Sequence, residues 1–323
     1  MPKISVIIPA RNAGSCIEKC LLSLKAQTFQ DFEVIVVDDA SRDRTGEIAR
    51  RYARVIKSEE NSGEGAARNL GAQEAKGEIL VFTDADVIAP SGWLARILED
   101  MQRYNVKCVG GGYCGCLGSS FMEKFAHLEL VYRRRNMPQF VNTLVSNNFA
   151  CSRELFFEFG GFPERFKCED LRLSFLISRK YPVFWDKDNG VYHYFRTALG
   201  SYLRQQYYFS RDTALSYCQY PEMLRNKTHQ GRLIYLETIL MFISLLGLFY
   251  SPLTSILFIF LILIANLDFL LFLKKEGLPV IRAFLVVLLR DLTCVLSIFS
   301  GMLMCAKDIA RGLFKRPKTA RTY

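Results

Sequence analysis

Ile79-Leu80-Val81-Phe82-Thr83-Asp84-Ala85-Asp86 opens on four apolar residues and closes on two acids separated by one residue. A short apolar run of this kind, bounded by polar residues, reads as a buried strand. The same pattern stands twice upstream. Ile4 to Ile8 runs into the turn Pro9-Ala10-Arg11-Asn12, and Phe32 to Val37 ends in Asp38-Asp39. Between them, Ser15 to Gln27 sets Ile17, Leu21, Leu22 and Leu24 on one helical face. A short strand near Val55 to Lys57 precedes a helix over Gly65 to Ala75. Strands alternating with helices predict βαβ units and a parallel sheet covered on both faces. Ligands of such sheets bind at the carboxyl ends of the strands, where the Pro-Ala-Arg-Asn turn and the two acidic pairs gather.

Carboxylates at i and i+2 of an extended chain point to the same side. Asp84 and Asp86 are therefore expected to share a face and to position one divalent cation and a hydroxylated ligand. The plainer alternative is that Asp38, Asp39 and Asp84 cap helices and solvate loops, and three acidic strand ends in one sheet weigh against it. A dinucleotide site is disfavoured. Gly63-Glu64-Gly65 begins a glycine-rich turn away from the first strand, and it leads into Ala66-Ala67-Arg68-Asn69 without a third spaced glycine.

The 323 residues carry 42 Lys and Arg against 32 Asp and Glu, a formal charge of +10, and half are hydrophobic. Disordered, collagen-like and small disulfide-stapled chains are excluded. The mean hydropathy of +0.10 is high for a soluble enzyme, and the apolarity is concentrated. From Leu233 to Leu273 only Glu237 and Asp268 are charged. No aromatic-interleaved basic stripe accompanies the positive charge, so nucleic acid is not an expected partner. The ten cysteines are scattered and no secretory signal pattern opens the chain, so reduced thiols and a cytosolic first domain are expected. Cys108, Cys114 and Cys116 match no paired zinc spacing.

Taken in order, SVIIPARN (5–12), VVDDASRDRTGE (36–47), NSGEGAARNLG (61–71) and FTDADV (82–87) resemble the family 2 glycosyltransferases of GT-A fold. The resemblance continues into Gly160-Gly161-Phe162 and Glu169-Asp170-Leu171 and covers about residues 3 to 215. It implies an α/β architecture, a GT-A-type Rossmann-like mixed sheet that binds a nucleotide-diphosphate sugar, a UDP-sugar first. It implies Mg²⁺ or Mn²⁺ on Asp86, with Asp84 sharing the metal or facing the ribose and His193 near the metal or diphosphate. Asp39 would read the nucleobase, with Pro9, Ala10 and Asn12 packed beside it, and Arg68 would approach a phosphate. Asp170 would take the acceptor proton in a single inverting displacement, with Glu169 orienting it or titrating with it. Residue-level alternatives stand beside these roles: an ordinary surface arginine for Arg68, a structural histidine for His193, and for Glu169-Asp170 an acid pair favoured by the helix dipole. Arg211, after Gln205-Gln206-Tyr207-Tyr208, is similar to the family's Gln-x-x-Arg-Trp element and a candidate donor contact, but it departs in spacing and lacks the Trp. That departure argues against a processive polysaccharide synthase. Intact Asp84, Asp86 and Asp170 argue against a non-catalytic membrane scaffold. Asn147 and Asn148 are candidates for the acceptor side, as is the run Arg133-Arg134-Arg135, whose expected partner is a lipid phosphate or headgroup.

Leu233 to Tyr250 and Leu253 to Leu273 are 18 and 21 residues around a Ser251-Pro252 break, the pattern of a transmembrane helical hairpin. In Val280 to Ala306, Arg290 and Asp291 interrupt the apolarity, and a third crossing would export the cations from Lys307 to Arg321. An interfacial or re-entrant helix is favoured there. The expected organisation is a catalytic domain over 1–197, a juxtamembrane amphipathic segment over 198–232, membrane helices over 233–306 and a basic tail over 307–323. The expected protein crosses the cytoplasmic membrane more than once, keeps its catalytic domain in the cytosol, contacts membrane lipids and glycosylates a lipid-linked or cell-envelope glycan acceptor.

Overall fold

The computed structural model describes residues 1–164, 166–225 and 233–311. The chain divides into a first unit, Met1–Thr197, and a second that starts at Ala198. The strands are β1 (Ile4–Ala10), β2 (Phe32–Asp39), β3 (Arg54–Ser58), β4 (Ile79–Phe82), β5 (Val87–Ile88), β6 (Cys108–Cys116), β7 (Phe140–Val141), β8 (Phe149–Ser152) and β9 (Val183–His193). The first unit's helices are α1 (Ile17–Lys25), α2 (Thr45–Ala49), α3 (Glu64–Gln73), α4 (Trp93–Arg103), α5 (Phe121–Arg134), α6 (Arg153–Glu158) and α7 (Glu169–Ser178).

The sheet runs β3-β2-β1-β4-β8-β6-β9-β5, with β7 on β9. Its first four strands are parallel, as the βαβ pattern predicts, whereas β8 enters antiparallel to β4 and β6, and β5 antiparallel to β9. The sheet is thus mixed. Alternation in β1 divides the core: Val6 and Ile8 pack with α1 and α4 residues such as Leu21, Leu24 and Trp93, while Ile7 faces Ala67, Ala72, Phe82, Phe156 and Phe162 on the other side. Pro9 does not end β1. Ile7 accepts from Thr83 N–H across to β4 at 3.2 Å. Pro9 faces the same side two residues later, where β4 has already stopped, so its missing N–H costs no ladder bond.

The second unit contains α8 (Leu199–Gln219), α9 (Leu233–Gly247), α10 (Pro252–Ala265), α11 (Leu267–Lys275) and α12 (Val280–Ala310). Two expectations are corrected here. The 21-residue apolar stretch is two helices bent by 52°, because Asn266 closes the first: its amide nitrogen donates to the Ile262 carbonyl at 3.0 Å and its side chain ends the run. The Arg290-Asp291 pair does not interrupt α12, which continues for 31 residues. Arg290 is buried and pairs with Asp291 and with Glu237 of α9, so the charges are satisfied inside the bundle and the backbone has no cause to break. Among the described residues, α12 is the one helix long and apolar enough to cross a membrane, and the bent α10–α11 pair is a second candidate only if it acts as one span. Serines 244 and 255 exchange side-chain bonds with each other's carbonyls and tie α9 to α10. The stretch expected to be amphipathic forms α8, which packs on α12 where Gly301 admits the backbone at Arg211. Residues 226–232 and the tail beyond Arg311, with Lys315, Arg316, Lys318 and Arg321, lie outside the described residues.

Candidate active site

Asp84-Ala85-Asp86 is a turn between β4 and β5, not strand, with Val87 N–H donating to the Asp84 carbonyl at 3.2 Å. The two carboxylates therefore meet through a reversal of the chain and not through strand alternation. The register of β5 against β9 then brings in a third group, since Val87 stands opposite His193. His193 Nε2 lies 3.3 Å from Asp86 Oδ1. Asp84, Asp86 and His193 each offer one ligand atom within 4.8 Å of the others. Two hard carboxylate oxygens and an imidazole nitrogen suit Mn²⁺ or Mg²⁺, and the buried Nδ1 of His193 has no hydrogen-bond partner. The residues fit a divalent ion. Burial works against the Asp86 carboxylate, but the His193 bond and Arg196 hold it below the ordinary range. Burial pushes Asp84 up, and Asp86 adds to the shift against the pull of Arg68.

Arg68 is neither a surface arginine nor an open phosphate ligand. It is 2% exposed, donates Nη2 to Asp84 Oδ1 at 2.7 Å, and pairs through Nη1 with Glu169. The surface-arginine alternative is thereby corrected, and Arg68, expected to approach a phosphate, is held by both carboxylates. Asn69, which the motif contains but the reading passed over, does the same for the next segment. Its amide accepts from Phe162 N–H and donates to the Phe162 carbonyl, both at 2.8 Å. Gly160 and Gly161 adopt φ of +77° and +74°, a conformation disfavoured for side-chain-bearing residues, and so turn Phe162 onto Asn69 and the Phe82, Phe149 and Phe156 cluster.

Glu169 is buried, and burial together with adjacent Asp170 pushes it up to about 8 despite Arg68. Asp170 keeps partial exposure at the start of α7. Its Oδ2 accepts from Ser146 N–H and its Oδ1 from Leu171 N–H, both at 2.8 Å. Burial raises its pKa while these N–H donors oppose the shift. Asn147 and Asn148 separate in role. Asn147 donates to Tyr113 Oη at 2.6 Å, while Asn148 is a core group that accepts from Trp93 Nε1 and donates to the Asn189 carbonyl.

The remaining predicted residues sit at the carboxyl ends of β1 and β2. Pro9 and Ala10 are buried. Asn12 takes φ +51° and clamps the neighbouring loop, its N–H on Ser41 Oγ at 3.0 Å and its Oδ1 on Arg42 N–H at 2.8 Å. Asp39 accepts from Ser62 N–H and Oγ and from Gly63 N–H, at 2.8, 2.9 and 3.0 Å, and so fixes the turn before α3. Arg211 belongs to the second unit, where it bonds Asp212 and lies over the Tyr208 ring. The Arg133-Arg134-Arg135 run splits three ways: Arg133 pairs with Glu129, Arg134 is buried, and exposed Arg135 stacks on Tyr132.

Residues 5–159 match the model of Glycosyl transferase family 2. These residues are a family 2 glycosyltransferase domain. Glycosyltransferase AglE of Haloferax volcanii is 32% identical to the chain over 160 residues, 45% of this chain and 53% of that protein. The GalNAc(5)-diNAcBac-PP-undecaprenol beta-1,3-glucosyltransferase of Campylobacter jejuni is 30% identical over 146 residues, 43% and 45% of the two chains. The chain spans about half the length, or less, of the curated relatives it matches. Among solved structures, mannosyltransferase PcManGT from Pyrobaculum calidifontis, in complex with GDP-Man and Mn²⁺, superposes with a TM-score of 0.54 at 20% identity, over 97% of this chain and 81% of that one. At that identity the likeness establishes the fold alone, and the fold is GT-A. In the family 2 domain four of the motifs are joined physically, the acid pair of α7 to the acidic turn by Arg68, and the glycine pair to the Arg68-Asn69 helix by Asn69.

Proposed function

We propose that the chain transfers a sugar, with inversion, from a nucleotide-diphosphate sugar to a lipid-linked or cell-envelope glycan acceptor. The observation that carries this reading is the Arg68 bridge, which fixes Asp84 of the Asp84-Asp86-His193 triad to Glu169, next to the partly exposed Asp170. Asp86, Asp84 and His193 would hold Mg²⁺ or Mn²⁺, which when bound supplies Lewis-acid stabilisation of the diphosphate leaving group. Pro9, Ala10, Asn12 and Asp39 border the nucleobase side, a UDP-sugar being the first donor to test. Asp170 takes the acceptor proton as the acceptor oxygen bonds to the anomeric carbon and the sugar–phosphate bond breaks, releasing the nucleoside diphosphate. Arg68 keeps its charge and positions both carboxylates. Residues 1–197 carry this chemistry. Residues 198–232 lie at a membrane surface, 233–306 anchor the chain in the cytoplasmic membrane with the catalytic domain cytosolic, and the tail 307–323 meets anionic lipid. The apolar α12 and the undecaprenol-linked substrate in the name of the Campylobacter relative support the membrane and lipid parts.

The test incubates the full chain in detergent with UDP-, GDP- and dTDP-sugars and Mn²⁺. The expected result is metal-dependent consumption of one donor, with a transferred sugar of opposite anomeric configuration by NMR. Retention of configuration, or turnover indifferent to chelator, contradicts the proposal.

A further inference from the structure

Buried polar atoms without hydrogen-bond partners gather around Tyr113 and Phe195. They are Nδ1 of His127, Nε and Nη1 of Arg134, Oδ1 of Asn147 and Nδ1 of His193. The contacts that assemble them are specific. The Arg134 guanidinium lies over the Tyr113 ring at 5.2 Å. Asn147 bonds the Tyr113 hydroxyl. The His193 ring is 5.6 Å from Tyr113 and 4.7 Å from Phe195, and His127 is 5.5 Å from Phe195.

Arg134 is the unusual member. It is 6% exposed, and no carboxylate forms a salt bridge with it among the described residues. A buried guanidinium whose Nε and Nη1 have no hydrogen-bond partner and to which no carboxylate is bonded is costly to keep charged. An anion arriving from outside would offset that cost. The position is also informative, because Ser146 and Asn147 are consecutive: one holds Asp170 and the other holds Tyr113 beneath Arg134. The open guanidinium is thus set by the same turn that sets the proposed base. Asp170 acts on Arg134 electrostatically, and burial draws the Arg134 pKa below its ordinary value. His127 is held low by burial, so it offers a neutral imidazole to a ligand.

We infer that Arg134, with Tyr113 and His127 beside it, receives a phosphate-class anion carried by the acceptor and so brings the acceptor to Asp170. This rests on the transferase reading above. Guanidinium, imidazole and phenol together offer several donors to the many oxygens of a phosphate.

The test uses the full chain in detergent and three probes: farnesyl phosphate, farnesol and UDP or GDP with Mn²⁺, titrated calorimetrically into wild type, Arg134→Gln and Arg134→Lys. Farnesyl phosphate is expected to bind wild type saturably, to weaken about tenfold or more in Arg134→Gln, and to recover partly in Arg134→Lys, as loss of charge-assisted hydrogen bonds predicts. Farnesol binding and nucleotide binding stay within about twofold across the variants, since neither engages the guanidinium. Farnesyl phosphate binding that is absent in wild type, or equal in Arg134→Gln, overturns the inference. A parallel loss of nucleotide binding also overturns it, assigning Arg134 to the donor or to the fold. Wild type that binds farnesyl phosphate through Arg134 but no nucleoside diphosphate sinks the transferase reading instead, so the two failures are distinguishable.

Discussion

Asp170 is held by two backbone N–H groups in surroundings that raise its pKa. A base must be ionised to accept a proton, so the competent form prevails above that raised pKa and is lost as the pH falls through it. The acid limb of kcat/KM is therefore expected at higher pH than for an ordinary aspartate. Asp170→Asn should lower kcat by about 10² to 10⁴ and abolish that limb, and a pH–rate profile checks both; an acid limb unchanged in the variant would contradict the assignment. At this level the sequence was informative about which acids matter and uninformative about how they meet. Asp84, Asp86, Glu169 and Asp170 stand in recognisable motifs, and His193 was legible as a histidine after a strand. The burial of Arg68 was not legible, because nothing local indicates that residues 84 and 169 converge on it from 16 and 101 positions away.

Between α4 and β9 lies a second acidic pair with no part in the proposed chemistry. Burial and Asp186 push Asp100 up to about 7, while Arg96 bonds Asp186. The folded state thus favours protonated Asp100, whose unfolded value is near 3.9 as an ordinary aspartate. Its contribution to stability is full below about pH 4 and is lost as pH rises through about 7. Melting temperature should fall between pH 5 and pH 8, and Asp100→Asn should flatten that slope; a variant with the wild-type slope refutes the assignment. In the second unit, Arg290→Met leaves Glu237 and Asp291 buried without their cation and should cost about 3–5 kcal/mol, read by thermal unfolding in detergent. An unchanged melt would show that the triad is not the tie between α9 and α12. Strands β1 to β4 could be read from their apolar runs. The antiparallel entry of β8 and the length of α12 could not, since the first is a long-range pairing and the second depends on a charge on another helix.

Taken whole, the molecule joins a GT-A domain to a helical unit whose α12 is long and apolar enough to span a membrane. Anchoring predicts that the full chain stays in the membrane pellet after alkaline carbonate washing, and its appearance in the supernatant would contradict it. The composition indicated where the apolar mass lies but not its geometry, because the Asn266 bend and the buried Arg290 pair depend on how the helices pack. The central claim is that the triad binds the donor and Asp170 acts on the acceptor. Calorimetric titration of nucleoside diphosphates with Mn²⁺ into wild type, Asp86→Asn and Asp170→Asn tests it most directly. The predicted result is metal-dependent binding in wild type and Asp170→Asn and its loss in Asp86→Asn. Binding retained in Asp86→Asn and lost in Asp170→Asn would contradict the account.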